Sequence, residues 1–333
     1  MINLIKIILL GPLMALMMGC GATSDFAPWS DGSVALLFPA DDNPRWLSEL
    51  NSITLALGEH DYEVYVDISN DVQQQVEAIQ SVVDLNLSSM VLVSLDPHSK
   101  AINQALAQVR GGGTKIICYE RLQEETPDVD LFIACDGHQI GRMEGKAVAE
   151  LPRGGRIEIL SGGANDLYSK ELFEGMWSCV QQNVSSGLWS VPSGHTTMAE
   201  NSVGGWSKEQ TMAYFQNILH TYYADGSLPD AILTSSDLMA QGVVEVITAL
   251  GDRPYPIITG QGNSKLSRQL ILKSQQTMTV DKNPQEYIKQ TIRAINQYSS
   301  SLDVATSATK NNGLIDVPMV VIPAEVVYQS NIL

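Results

Sequence analysis

An arginine and a tryptophan side by side, Arg45-Trp46, end the short loop PADDNPRW that follows the apolar run SVALLF. The pair has a definite chemistry: the guanidinium donates several hydrogen bonds in one plane, and the indole offers a flat apolar face with an N–H at its edge. SVALLF reads as a buried strand, and behind the loop Trp46, Leu47, Leu50, Ile53 and Leu57 recur at the spacing of an amphipathic helix. The loop therefore lies at a strand's carboxyl end, where open α/β sheets take their ligands. The same pattern also fits a tryptophan that is the first core residue of its helix and packs inward.

Reactive chemistry finds no comparable footing. There is no Walker loop and no G-x-G-x-x-G after a strand. GGGTK (111–115) falls between a helix and a strand and reads as a helix C-cap and turn rather than a phosphate cradle. The histidines at 60, 98, 138, 195 and 220 lack metal-ligand spacing, and neither G-x-S-x-G nor H-E-x-x-H occurs. Beyond Cys20, Cys118, Cys135 and Cys179 are an odd set that cannot complete a disulfide framework and read as small buried residues. No cofactor, metal or turnover is expected.

The elements that must position such residues follow from length and pattern. A chain of 333 residues, 44% hydrophobic and 17% charged, can build two α/β domains. Its net charge of −17 repels phosphate backbones and anionic lipid, which excludes nucleic acid as a natural partner. The N-terminus, MINLIKIILLGPLMALMMGC, reads as an export signal over 1–19, too short for a standard membrane span. Gly19-Cys20 resembles a bacterial lipobox, with Met17 and Met18 as departures. On that reading Cys20 is lipidated, residues 20–31 form a tether, and a lipid is the only membrane contact; an ordinary cleaved signal or a retained anchor are the alternatives. In each case the folded part is exported.

Downstream, strand-like runs alternate with helical ones. Helices are expected near 44–58, 72–85, 99–109, 138–150, 166–182, 238–250, 264–272 and 285–298, with a strongly amphipathic one in WSKEQTMAYFQNILHTYY. Near-continuous apolar strands separated by helices mean parallel sheets covered on both faces. The fold class expected is α/β, with two doubly wound parallel-sheet lobes and no flexible linker between them.

Nine segments, in order along the mature chain, resemble the periplasmic sugar-binding proteins of ABC importers, in the xylose-binding and multiple-monosaccharide-binding branch of the type I fold. They are PRW (44–46), CYER (118–121), FIACDGHQIG (132–141), ILSGGANDLYSKELFEG (159–175), VGGWSKEQTMAYFQNIL (203–219), DAILTSSD (230–237), ITGQG (258–262), TMTVDK (277–282) and NNGLIDVP (311–318).

The resemblance implies an Arg-Trp pair, Arg45 and Trp46, facing a ligand from one lobe and Trp206 from the other. Two indoles suit a pyranose, whose C–H faces are apolar and whose hydroxyl edge needs hydrogen bonds. Arg121, Asp136, Asp166, Tyr168, Asp237, Gln261 and Lys282 complete the implied set, with charged groups bonding hydroxyls. For each charge the alternative is a solvated loop or an interlobe salt bridge. Asp136, the Gln261 region and Lys282 are expected where the chain crosses between lobes. This chain departs from the family's pattern at Glu120, where aspartate is usual, and at Gly137, Ser236 and Gly262, which remove two amides and a carboxylate. Leu167 and Tyr168 stand where the family has asparagines.

The expected division is 32–136 with 260–280 as N-terminal lobe, 137–259 with 281–317 as C-terminal lobe, and 318–333 as a segment returning to three crossing strands. The expected function is a monomeric, lipid-anchored, periplasmic or envelope solute-binding protein that closes on a monosaccharide and presents it to an ABC permease. A sensing module of the same fold, signalling to a membrane receptor or kinase, is the alternative.

Overall fold

A computed structural model describes residues 5–7, 32–40, 44–151 and 153–332; Cys20, most of the proposed signal and the tether lie outside the described residues. Among the described residues no helix is long and apolar enough to cross a membrane.

The chain begins with β1 (Ile5–Ile7), β2 (Ser33–Pro39), α1 (Pro44–Gly58), β3 (Glu63–Ser69), α2 (Val72–Val83), β4 (Ser89–Leu92), α3 (Lys100–Gly111), β5 (Lys115–Tyr119) and β6 (Leu131–Ala134). It continues with α4 (Gly137–Ala149), β7 (Gly155–Leu160), α5 (Leu167–Ser185), β8 (Trp189–Ser190), α6 (Met198–Asn201), α7 (Lys208–Tyr222), β9 (Ala231–Thr234), α8 (Asp237–Ala249), β10 (Ile257–Ile258), α9 (Lys265–Leu272) and β11 (Met278–Asp281). α10 (Pro284–Ser299), β12 (Ala308–Asn311), β13 (Asp316–Val321) and β14 (Glu325–Tyr328) complete it. Side-chain caps start most of the helices: Asp71, Ser99, Asp136, Asp166, Ser207, Ser236 and Ser264 each accept a hydrogen bond from a first-turn backbone N–H.

Two compact units result. Unit 1 comprises residues 1–134 and 284–322. Its sheet has the order β1-β3-β2-β4-β5-β6-β13-β12, parallel except at β1–β3 and β12–β13. The fully buried run Val34 to Phe38 explains why β2 carries no polar alternation: neighbours hydrogen-bond it on both edges and helices cover both faces. Leu37, Ile79, Leu92, Leu106 and Ile116 are among the core residues of one layer. Strand order reverses between β2 and β4, which makes their carboxyl ends a topological switch point.

Unit 2 comprises residues 135–283 and 323–333. Its four-stranded parallel sheet has the order β10-β9-β7-β8, so the switch point lies between β7 and β9. A bridge from Gln261 to Val280 continues the sheet to β11, which pairs antiparallel with β14. Leu160, Phe215, Ile232, Met239, Val243 and Ile258 share its core.

The doubly wound architecture is as expected, and two features of its division are corrected. Residues 260–283 belong to unit 2, because Gly262 N–H donates to Val280 O and Thr277 N–H to Ile258 O, tying β11 to β10. Residues 284–317 belong to unit 1, where Tyr62 Oη donates to Asn296 Oδ1 (2.9 Å) and β13 pairs with β6. The chain accordingly passes between units after 134, 283 and 322. Asp136 and Lys282 flank the first two passages; Gln261 lies well inside unit 2. Cys118 and Cys135 are buried and Cys179 is half-buried.

Candidate functional site

In unit 1 the loops after β2, β4 and β5 bring Arg45, Trp46 and Arg121 together around a residue the sequence reading noted only as a departure, Glu120. Trp46 Nε1 donates to Glu120 Oε2 at 2.7 Å, and Arg45 Nη2 donates to the same oxygen. Arg45 Nη1 donates to Glu49 Oε1 (2.6 Å), and Tyr119 Oη donates to Glu49 Oε2 (2.6 Å). Arg121 lays its guanidinium 4.8 Å from the centre of the Trp46 ring and donates to Ser94 O (3.2 Å). The cluster thus spans the switch point between β2 and β4. Burial opposes the charge on Arg45, but the Glu120 and Glu49 carboxylates outweigh it and hold the guanidinium above its ordinary value. Trp46 is 5% exposed, its N–H is engaged and Arg121 covers one ring face. The inward-packed alternative is therefore partly realised.

Unit 2 repeats the theme with different residues. Trp206 Nε1 donates to Asp166 Oδ2 at 3.1 Å, which also accepts from Ser169 Oγ (2.6 Å), while Oδ1 takes the backbone N–H of Tyr168 (3.2 Å). Asp166 is thus helix cap and tryptophan anchor at once. Gly162, after β7, lets the indole approach: a Cβ there would sit 2.9 Å from Trp206 Cε2. Tyr168 stacks on Trp206 with ring centres 6.2 Å apart and planes 29° apart, donates its hydroxyl to Gln261 Oε1 (3.1 Å) and lies under Lys282 Nζ (5.3 Å). Trp206 itself is half-buried. Five expected residues, Asp166, Tyr168, Trp206, Gln261 and Lys282, are brought together.

Asp237 and Asp136 hold bonds within the protein. Asp237 is 4% exposed, and its Oδ1 accepts from Thr279 Oγ1 (2.7 Å) and Gln276 Nε2 (3.2 Å) while Oδ2 accepts from Ser264 N–H (2.8 Å). It ties the loop after β10 to β11. Asp136 accepts from Gln139 N–H (3.1 Å) as the cap of α4.

The departures also have local causes. Gly262 adopts φ +126°, a conformation that side-chain-bearing residues rarely reach. Gly137 makes room, since a Cβ would meet Glu171 Oε2 at 2.7 Å and Tyr168 Cδ2 at 3.1 Å. Ser236 caps α8 through Met239 N–H (3.2 Å).

Residues that sequence reasoning missed include Glu49, whose only signal was its i+4 spacing from Arg45, and Glu144. Neither carboxyl oxygen of Glu144 has a hydrogen-bond partner among the described residues, and the side chain is fully buried. Burial, with Asp237 nearby, pushes its pKa well above the ordinary value of 4.5. No cluster of three or more metal-ligating side chains occurs among the described residues.

Two doubly wound units, each carrying an indole pinned by a carboxylate at its switch point, define a ligand-binding protein of the type I periplasmic architecture. The family model for the periplasmic binding protein domain matches residues 34–301, and the chain belongs to that family of binding proteins, which are not enzymes. The multiple sugar-binding periplasmic protein SbpA of Azospirillum brasilense is 24% identical over 86% of this chain and 83% of its own length. The multiple sugar-binding periplasmic receptor ChvE of Rhizobium radiobacter is 23% identical over 90% of this chain and 88% of its own. Among solved structures, an ABC transporter solute-binding protein from Clostridium phytofermentans with bound β-D-glucose superposes with a TM-score of 0.82 at 26% identity, covering 90% of this chain and 94% of that one.

Proposed function

We propose that this protein is an exported solute-binding protein for a monosaccharide, which it delivers to an ABC importer. The observation that carries the reading is the Trp206 constellation at the β7/β9 switch point: a half-buried indole, oriented by Asp166 and stacked with Tyr168, whose hydroxyl meets Gln261 and whose ring lies under Lys282. An indole held edge-on by a carboxylate presents its face, and a sugar's C–H face is the natural complement. Arg45, Trp46 and Arg121 form the corresponding surface of unit 1. Relatives whose names describe sugar binding and a glucose-bound neighbour support the substrate class. Anchoring by a lipid on Cys20 belongs to the same proposal and rests on the lipobox resemblance alone.

A thermal-shift series with pentoses, hexoses, deoxy sugars, polyols and nucleosides tests it. A true ligand at a hundredfold excess over Kd should stabilise the protein by about 2.7 kcal/mol. Replacing Trp206 by alanine should abolish that shift while leaving the ligand-free transition cooperative. Melting that no saccharide moves, or a W206A variant that still responds fully, would refute the reading.

A further inference from the structure

Three side chains from separate parts of unit 2 meet at Tyr168. Tyr168, at the start of α5, donates its hydroxyl to Gln261 beyond β10 and lies beneath the ammonium of Lys282 beyond β11. Gln261 is fixed in turn, its Nε2 donating to Ser235 O at 3.0 Å, so its amide oxygen faces Tyr168 and its nitrogen faces the backbone. The phenol ring also stacks on Trp206. The missing side chain at Gly137 is what admits the ring, since a Cβ there would press on Tyr168 Cδ2.

From this arrangement we infer that Tyr168 is a specificity residue. With Gly137 giving it space and Gln261 and Lys282 holding it, it sets an aromatic wall beside Trp206 and selects a monosaccharide that turns a C–H or methyl edge, not a hydroxyl, toward it: a deoxy sugar. The inference rests on the sugar-binding reading of the same site. Its physical basis is that a hydroxyl pressed against a phenyl face leaves water without recovering a hydrogen bond, whereas a methyl group gains contact. Apolar surfaces reject an added hydroxyl only moderately, so the expected preference is about 10- to 100-fold, not absolute.

Calorimetric titration with matched sugars reads this directly. Galactose against fucose, mannose against rhamnose and glucose against 6-deoxyglucose form the pairs, each measured on the wild-type chain, Tyr168→Phe and Tyr168→Asn. The wild type should bind the deoxy member of at least one pair about 10- to 100-fold more tightly than its parent. Tyr168→Phe, which keeps the ring, should keep the preference. Tyr168→Asn should bring the two members to within about threefold of each other, the ligand-free melting temperature showing that the variant is folded. Equal affinity for both members of every pair that binds, or a Tyr168→Asn variant in which the wild-type ratio survives, overturns this inference and leaves the sugar-binding function standing. Silence toward every sugar in all three proteins overturns that function and this inference together.

Discussion

Glu120 adopts φ +60°, a left-handed backbone that is uncommon for a residue with a side chain, and it anchors both Arg45 and Trp46. Strain of that kind persists where surrounding contacts over-determine it. One carboxylate oxygen receiving a guanidinium and an indole N–H is such a determinant. Glu120→Gln keeps an acceptor for the indole but removes the charge opposite the buried Arg45. The expected result is a loss of about 1–3 kcal/mol in stability, read as a lower urea midpoint with an unchanged slope. An unaltered midpoint would mean the cluster is not a coupled unit. At this scale the sequence was legible for residue types and poor for partnerships. Arg45-Trp46 stood out as a pair, but the acid that organises it lies far along the chain and looked like a mere substitution. Nothing local reveals that Thr279 and Gln276 converge on Asp237.

Helices were the most readable elements. α1 begins and ends at the expected residues, and α4, α8, α9 and α10 fall within a residue or so of their expected limits, because apolar periodicity and capping side chains act locally. The two-residue β8 and four-residue α6 escaped, being too short to carry a period. The allocation of β11 and α10 to units was also unreadable, since strand pairing and helix docking depend on contacts far apart in sequence. Asp166 shows how an element's end becomes part of a site: its carboxylate caps α5 and orients Trp206. Asp166→Ala should cost about 0.5–2 kcal/mol for the lost cap. It should also change Trp206 fluorescence and weaken ligand binding, whereas Asp71→Ala, a cap without such a partner, should affect stability alone. Equal binding by both variants would separate the cap from the site.

Over the whole molecule, the net charge of −17 and the buried acids, Glu144 foremost, shape the response to pH. Burial raises both Glu144 and Asp237, but Asp237 holds three hydrogen-bond donors and Glu144 none among the described residues, so the upward shift is less opposed at Glu144. A carboxyl with a raised folded-state pKa binds its proton more tightly when folded, so its stabilising contribution is complete below 4.5 and declines as pH rises through the folded value. Melting temperature should therefore fall from mildly acidic toward neutral and alkaline pH. Glu144→Gln should flatten part of that fall and gain on the wild type as pH increases; parallel curves would show that Glu144 is ionised in the fold. The general acidity acts in the same direction, and added salt should relieve its share but not that of the buried group. The order of the chain has its own consequence. Unit 1 lacks α10, β12 and β13 until residue 321 is available, and unit 2 lacks β14 until residue 328. Neither can finish its sheet while the polypeptide is still emerging from a ribosome or threading a translocation pore. For a chain exported as proposed above, this late completion would leave both units unfinished until the last strands are through the pore.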